Sequence, residues 1–178
     1  MFDPALLTRL RSLQEKAGSA PSADAIRPVP VSEPDPALRP VGEEALRRGE
    51  VAVLLVAGGQ GTRLGFDHPK GLYPLGPLSG RTLFQIHAEK VRALSLRYGR
   101  DVPFLIMTSP ATHAETVAYF RANGSFGLPQ VKIFQQGTMP ALDLVTGEVL
   151  MEAPGVPCLS PDGHGGTLTA LAESGLLA

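Results

Sequence analysis

One cysteine, Cys158, is all that the 178 residues contain. An internal disulfide is therefore excluded, and so is a thiolate cluster for zinc. Long apolar runs are also missing: the longest, Val51 to Ala57, falls far short of the roughly 20 residues that a membrane-crossing helix needs. The amino terminus, MFDPALLTRL, lacks a basic region followed by an apolar run, so it does not read as a secretory signal. Neither sign of charge dominates. Lys and Arg number 16 against 17 Asp and Glu, for a formal net charge of −1 and a pI near 6.4. No global positive field recruits nucleic acid or an anionic membrane, and any anion site must be local. No internal repeat is visible, and nothing signals an oligomeric state. What remains is a soluble, cytoplasmic chain, 43% hydrophobic, with enough apolar residues for one domain or part of one. Its 20 glycines and 17 prolines announce many turns and loops.

Residues 3–17 place Leu6, Leu10 and Leu13 on one helical stripe with Leu7 beside it, and Gly18 supplies a stop. From Ser19 to Gly42 come six prolines, which remove backbone donors and disfavour helix in the residues before them. An extended connector is expected there, with the first helix packing as an appendage on the main body. VAVLLVA at 51–57 is a continuous apolar run, the pattern of a strand buried on both faces of a parallel sheet. Thr82 to Tyr98 form the next helix, with Leu83, Ile86, Val91, Leu94 and Tyr98 to one side, Thr82 and Gln85 spaced as a capping box, and Gly99 as the stop. VPFLIMT at 102–108 repeats the buried-strand signature. Ser109 and Pro110 then open a helix that ends near Asn123-Gly124. QVKIFQQ at 130–136 is a third strand. LDLV and EVLM around Thr146-Gly147 suggest a small hairpin, and a last helix is expected to begin after Gly165-Gly166 and run to the end of the chain. Strand, helix, strand, helix, strand predicts an α/β fold: a Rossmann-like, mostly parallel sheet flanked by helices, with ligands at the carboxyl ends of its strands.

The loop after the first strand, AGGQGTRLGFDHPKG at 57–71, combines glycines with Arg63 and Lys70. Glycine lets backbone amides approach phosphate oxygens, and the two cations supply the charge a polyphosphate requires. Phosphate binding is the reading favoured over a merely structural glycine-rich turn. Three familiar motifs fail. A P-loop needs Ser or Thr after its Gly-Lys, whereas Gly71 follows Lys70. A dinucleotide fingerprint needs G-x-G-x-x-G opening into a helix, whereas Gly59, Gly61 and Gly65 are spaced differently and prolines delay the helix to Thr82. A kinase-type loop belongs in a hairpin, not after a parallel strand. Neither His68, His87 nor His113 falls into a metal-ligand spacing, and all three read as ordinary helix or loop residues. Asp67 reads as a solvated loop carboxylate rather than a partner for Arg63.

VAGGQGTRLG, PKGLYPLG, TLFQIHAEKV, IMTSPATHAET, FGL, IFQQGTMPALD and SPDGHGG, in that order over about residues 50–172, resemble the amino-terminal half of the UDP-sugar pyrophosphorylase family, most closely its UDP-N-acetylglucosamine branch. The resemblance implies a nucleotide-diphospho-sugar transferase fold and uridylyl transfer. A sugar 1-phosphate attacks the α-phosphorus of UTP, pyrophosphate leaves, and Mg²⁺ is the implied cofactor. A phosphate nucleophile is already largely anionic near neutral pH, so no Ser-His-Asp set is needed, and alignment and charge neutralisation suffice.

By the same resemblance, Ala57, Gly58 and Gly59 line the base and ribose. Gln60, Gly61, Thr62 and Arg63 cradle the phosphates, and Arg63 and Lys70 carry the catalytic charge. Gln136 and Pro140 stand on the uracil side, Gly163 lies against the uracil ring, and His164 lies near the ribose or sugar phosphate. His164 is typical of UDP-glucose and broad UDP-sugar members, where the N-acetylglucosamine branch carries asparagine, while Gly166 stands where those members often have aspartate. The motif is a hybrid, so the sugar stays open between N-acetylglucosamine and glucose. Asp162 is a further candidate near the metal, although the family's principal metal aspartate, sugar-site residues and second lysine are expected beyond Ala178. Residues 1–42 are then expected to form the helix and connector, and 43–178 an incomplete UTP-binding part of the catalytic domain. The competing reading is a non-catalytic nucleotide-binding module whose first helix contacts a partner.

Overall fold

A computed structural model describes residues 4–16 and 22–177, which fall into two compact units. The larger comprises Asp35–Thr138 and Pro161–Ala178. In it, α2 (Arg39–Arg48) leads to β1 (Val53–Val56), then α3 (Leu83–Tyr98), β2 (Phe104–Thr108), α4 (Pro110–Ala122) and β3 (Val131–Gln135). The strands are parallel in the order β1-β2-β3. Two right-handed crossovers advancing in the same direction must place both helices on the same face of the sheet. The packing agrees: Phe84, Ala88 and Val91 of α3 and Phe120 of α4 cluster with Phe104 and Ile106, flanked by Val53, Leu55, Val131 and Ile133. The other face holds Met107 and Phe134 under Ala170 and Leu171, which belong to α5 (Thr167–Glu173).

Only β2 is the doubly buried strand that its apolar sequence predicts. In β1 the residues alternate, and Leu54 and Val56 remain 38% and 37% exposed. Both crossover helices cover the opposite face, and α5 reaches β2 and β3 rather than the outer strand. The helix caps are largely as the sequence predicts. Gly99 ends α3 in the left-handed conformation, and Thr82 Oγ1 accepts the Gln85 N–H at 3.1 Å. The reciprocal half of that capping box is absent, and the Gln85 side chain reaches along the helix, its Nε2 donating to Glu89 Oε1 at 2.9 Å. The fully buried stripe of α3 runs through Phe84 and Ala88, a face rotated from the leucine-based expectation. His87 is a helix residue whose imidazole is held below its ordinary pKa, first by burial and then by Lys90.

Other expectations need correction. The connector does not stay extended to Gly42: a 3₁₀ turn at Pro36–Leu38 leads into α2 at Arg39, where Pro40 fits the first helical turn. The last helix does not run to the chain end. It stops at Glu173, where Ser174 Oγ donates to the Leu171 carbonyl at 2.7 Å and Gly175 turns left-handed. Gly18, the expected stop of the first helix, lies outside the described residues.

The smaller unit comprises Met1–Pro34 and Met139–Ser160. It contains α1 (Pro4–Lys16), on which Leu6, Leu7 and Leu10 are half-buried and Leu13 is exposed. Arg11 Nε donates to the Gly147 carbonyl at 3.0 Å. The hairpin expected around Thr146-Gly147 is reduced to a single bridge between Leu142 and Val149. The turn is closed by Asp143, whose carboxylate accepts the amides of Thr146 and Val145 and is held below the usual carboxylate range by them. Met151–Ala153 pair instead with Val156–Pro157.

Phe84 is wholly buried, and its ring fills the space directly beneath Gly71. Phe84→Ala is expected to cost about 3–5 kcal/mol in urea unfolding, with a loss well below that range showing that the ring does not join α3 to the loop.

Candidate functional site

The carboxyl ends of β1 and β3 open into a cleft of about 420 Å³ in the larger unit. Its lining includes Ala57, Gly58, Gly59, Lys70, Gln136, Gly163 and His164, residues drawn from three separate stretches of sequence. Parallel strands in register end at one level, so the loops that follow β1 and β3 must meet there.

The loop after β1 folds back on itself. A bridge joins Gln60 to Pro69, while Gly61 N–H donates to the His68 carbonyl and Lys70 N–H to that of Gly59. Lys70 is thereby returned to the start of the loop, with its Nζ 3.9 Å from where a Cβ on Gly59 would stand. The glycines answer to close neighbours. A Cβ on Gly61 would lie 2.7 Å from the Phe66 carbonyl oxygen, and one on Gly71 would enter the Phe84 ring. A Cβ on Gly58 would lie 2.9 Å from Gln136 Oε1. Gln136 is only 8% exposed, its backbone N–H is fixed by the Thr108 carbonyl, and its amide faces the loop start.

Not every candidate joins the cleft. Gln60, Gly61, Thr62 and Arg63 occupy the outer part of the loop, with Arg63 exposed on a 3₁₀ turn at Thr62–Leu64. Among the described residues, Arg63 and Lys70 are in no ion pair. Asp67 is exposed and does not pair with Arg63. Pro140 is buried in the smaller unit. His68 does more than expected: its Nδ1 lies 2.6 Å from Glu115 Oε1 of α4, tying the loop to that helix. His113 Nδ1 lies 2.8 Å from Thr108 Oγ1, whose own proton goes to the Phe134 carbonyl.

Asp162 precedes the 3₁₀ turn Gly163–Gly166, and its carboxylate is wedged beside two glycines. A Cβ on Gly137 would fall 2.5 Å from Asp162 Oδ2, and one on Gly166 would fall inside it. A side chain at 166 would have no room while Asp162 keeps this position. Asp162 Oδ1 is buried without a hydrogen-bond partner. No carboxylate lines the cleft, and among the described residues no three His, Cys, Asp or Glu side chains gather as metal ligands. The residues present therefore do not form a site that would hold magnesium by itself.

Sequence reading missed Leu83, Phe84 and Pro161 as lining residues, and it missed Ser109 and Thr112 as supports of the loop. Ser109 carried a signal, the Ser-Pro helix start, but that pattern reports a cap and not what else the hydroxyl can reach.

A glycine-rich loop carrying Arg63 and Lys70 thus follows the first strand of a parallel α/β sheet, at the end of the sheet where ligands of such proteins bind. The family model described as UTP–glucose-1-phosphate uridylyltransferase matches residues 11–178, and the chain belongs to that family. It is 48% identical over 141 residues to UDP-N-acetylglucosamine pyrophosphorylase of Saccharomyces cerevisiae, an alignment covering 76% of this chain and 30% of the relative. The crystal structure of the Trypanosoma brucei UDP-N-acetylglucosamine pyrophosphorylase, solved with an inhibitor, superimposes with a TM-score of 0.70 at 33% identity, covering 93% of this chain and 35% of that one. A UDP-glucose pyrophosphorylase mutant of Leishmania major, solved with UDP-glucose, gives a TM-score of 0.70 at 25% identity, covering 96% and 36%. The chain thus spans about a third of the length of these relatives. Enzymes of this family generally use a divalent metal. No helix among the described residues is long and apolar enough to cross a membrane.

Gly166→Ala is expected to destabilise the fold by about 1–3 kcal/mol through overpacking. Adding Asp162→Ala should recover much of that loss, so that a double-mutant cycle in urea shows strong non-additivity. Additive effects would mean that Asp162 does not occupy the space beside Gly166.

Proposed function

We propose that this chain carries the UTP-binding half of a uridylyltransferase that joins UTP to a sugar 1-phosphate, N-acetylglucosamine 1-phosphate first, to give a UDP-sugar and pyrophosphate. The observation that supports this most is the return of Lys70 to Gly59 at the mouth of the cleft, with no carboxylate to neutralise it. A cation so placed serves an anionic ligand. In the reaction, a sugar-phosphate oxygen forms a bond to the α-phosphorus, the bond from that phosphorus to the bridging oxygen breaks, and the electron pair leaves with pyrophosphate. Lys70 and Arg63 offset charge on the phosphates. Ala57, Gly58 and Gly59 bring backbone close to the nucleoside, and Gly163 leaves space for its flat base. Gln136 offers both a donor and an acceptor to a base edge. Gln60, Gly61 and Thr62 shape the outer turn that carries Arg63, and Pro140 is the last residue of the short strand Thr138–Pro140 that follows Gln136. Magnesium fits this reading as a companion of the triphosphate, not as an ion held by the cleft.

A UDP-glucose specificity is the second reading, and His164 at the cleft is the observation that favours it. Greater identity to the UDP-N-acetylglucosamine relatives favours the first.

Calorimetric titration of the chain with UTP tests the proposal. Lys70→Ala should weaken binding about 10- to 100-fold, the worth of one charge-assisted hydrogen bond, and Arg63→Ala should weaken it in the same direction. Displacement of UTP by UDP-N-acetylglucosamine and by UDP-glucose then ranks the two sugars. A folded chain that binds no UTP overturns the proposal.

A further inference from the structure

The geometry points to Ser109 as a positioning residue for the nucleotide loop, an assignment that rests on the nucleotide reading above. Ser109 is the residue before α4 and is 2% exposed. Its Oγ donates to the Gly58 carbonyl at 2.8 Å, across 51 residues of sequence. That bond uses the one proton the hydroxyl owns. The neighbouring Thr112 hydroxyl, 3.1 Å away, is therefore the donor to Ser109 Oγ. Thr112 Oγ1 in turn accepts the Ser109 backbone N–H at 3.1 Å, and it has the Ala57 carbonyl only at the longer distance of 3.4 Å. Thr112 is fully buried, so the relay from Thr112 to Ser109 to Gly58 is held without competition from bulk water.

The consequence lies in the peptide that follows Gly58. In a trans peptide the C=O and the next N–H point in opposite directions, and no peptide in the described chain is cis. Drawing the Gly58 oxygen toward the start of α4 turns the Gly59 N–H away from that helix. Among the described residues, the Gly59 amide donates to no backbone carbonyl, and Gly58 and Gly59 both line the cleft. A Gly-Gly pair has no Cβ to restrict it, so this peptide plane has little intrinsic preference for one face over the other. The Ser109 hydroxyl chooses the face. The loop therefore presents a fixed donor to an acceptor-rich ligand, the class to which a pyrimidine nucleotide belongs. Ser109 itself touches no ligand.

The test uses the 178-residue chain with three substitutions. Ser109→Gly removes the hydroxyl but keeps an acceptable residue at the helix start. Ser109→Thr keeps the hydroxyl, and Thr112→Val removes the relay while preserving shape. Without ligand, the Gly58 carbonyl carbon and Gly59 amide NMR signals should move in Ser109→Gly and return toward wild type in Ser109→Thr. UTP affinity should fall about tenfold in Ser109→Gly, as for the loss of one oriented hydrogen bond, be restored in Ser109→Thr, and fall less in Thr112→Val. Should Ser109→Gly fail to fold, Thr112→Val carries both readouts. Unmoved Gly58 and Gly59 signals, or wild-type UTP affinity in a folded Ser109→Gly or Thr112→Val, overturn the assignment while leaving the nucleotide reading intact. Absence of UTP binding by the wild-type chain overturns both.

Discussion

The handedness of the two crossovers is the constraint from which the rest of the larger unit follows. With β1, β2 and β3 adjacent and parallel, right-handed connections put α3 and α4 on one face. That face becomes the main core, closed by Phe84, Phe104 and Phe120 in contact. The other face is left to α5, which covers β2 and β3 but not Leu54 and Val56 of β1. The same topology brings the three strand ends to one level, where the loop after β1, the start of α4 and the segment after β3 converge. The cleft is thus a consequence of strand order, and its chemistry belongs to whatever the loops carry.

The loop after β1 is glycine-rich for several different local reasons. Gly71 is excluded from having a side chain by the Phe84 ring, and Gly61 by the backbone and ring of Phe66. At Gly58 the obstacle is the movable end of Gln136, so the consequence of a side chain there falls on the cleft rather than on the fold. Gly65 alone among these needs the left-handed conformation, with which it ends the turn carrying Arg63. Two of the four, Gly61 and Gly71, are packing requirements of the fold itself. The loop is held in shape by Phe84 below it and by the His68–Glu115 contact at its outer part.

Elements with a strong period or a sharp terminus were legible in the sequence. The strands at 53–56, 104–108 and 131–135 and the helices begun by Thr82 and Ser109 fall close to where the pattern puts them. Local hydrogen bonding and side-chain alternation are properties of short sequence windows, so short windows reveal them. What a strand faces is not. Val51–Ala57 reads as doubly buried because its residues are all apolar, yet exposure of Leu54 and Val56 depends on where α5 lands more than a hundred residues later. The reduced bridge at Leu142–Val149 is a further case: Asp143 closes a turn with its own side chain, and Met151 stands opposite Pro157 in a separate pair of strands. In the candidate site, the gathering of glycines and cations in the loop after the first strand was legible. Their division was not. Lys70 reaches the cleft while Arg63 stays at the outer turn, because the bridge between Gln60 and Pro69 reverses the chain between them.

Charge placement decides how such a cleft can work in a protein of nearly neutral overall charge. Four other cations on the described surface are compensated: Arg39 and Arg47 pair with Glu43, Arg48 with Glu50, and Arg81 with Glu89. Such exposed pairs add little to stability, but they remove competing positive sites. Arg63 and Lys70 are in no ion pair among the described residues, and the cleft beside Lys70 contains no acid. A net charge of −1 gives no long-range attraction for a polyanion, so binding one here would have to rest on local donors such as Lys70. The Gly58–Gly59 peptide shows the same local arrangement: its oxygen is occupied by Ser109, and among the described residues its amide donates to no backbone carbonyl.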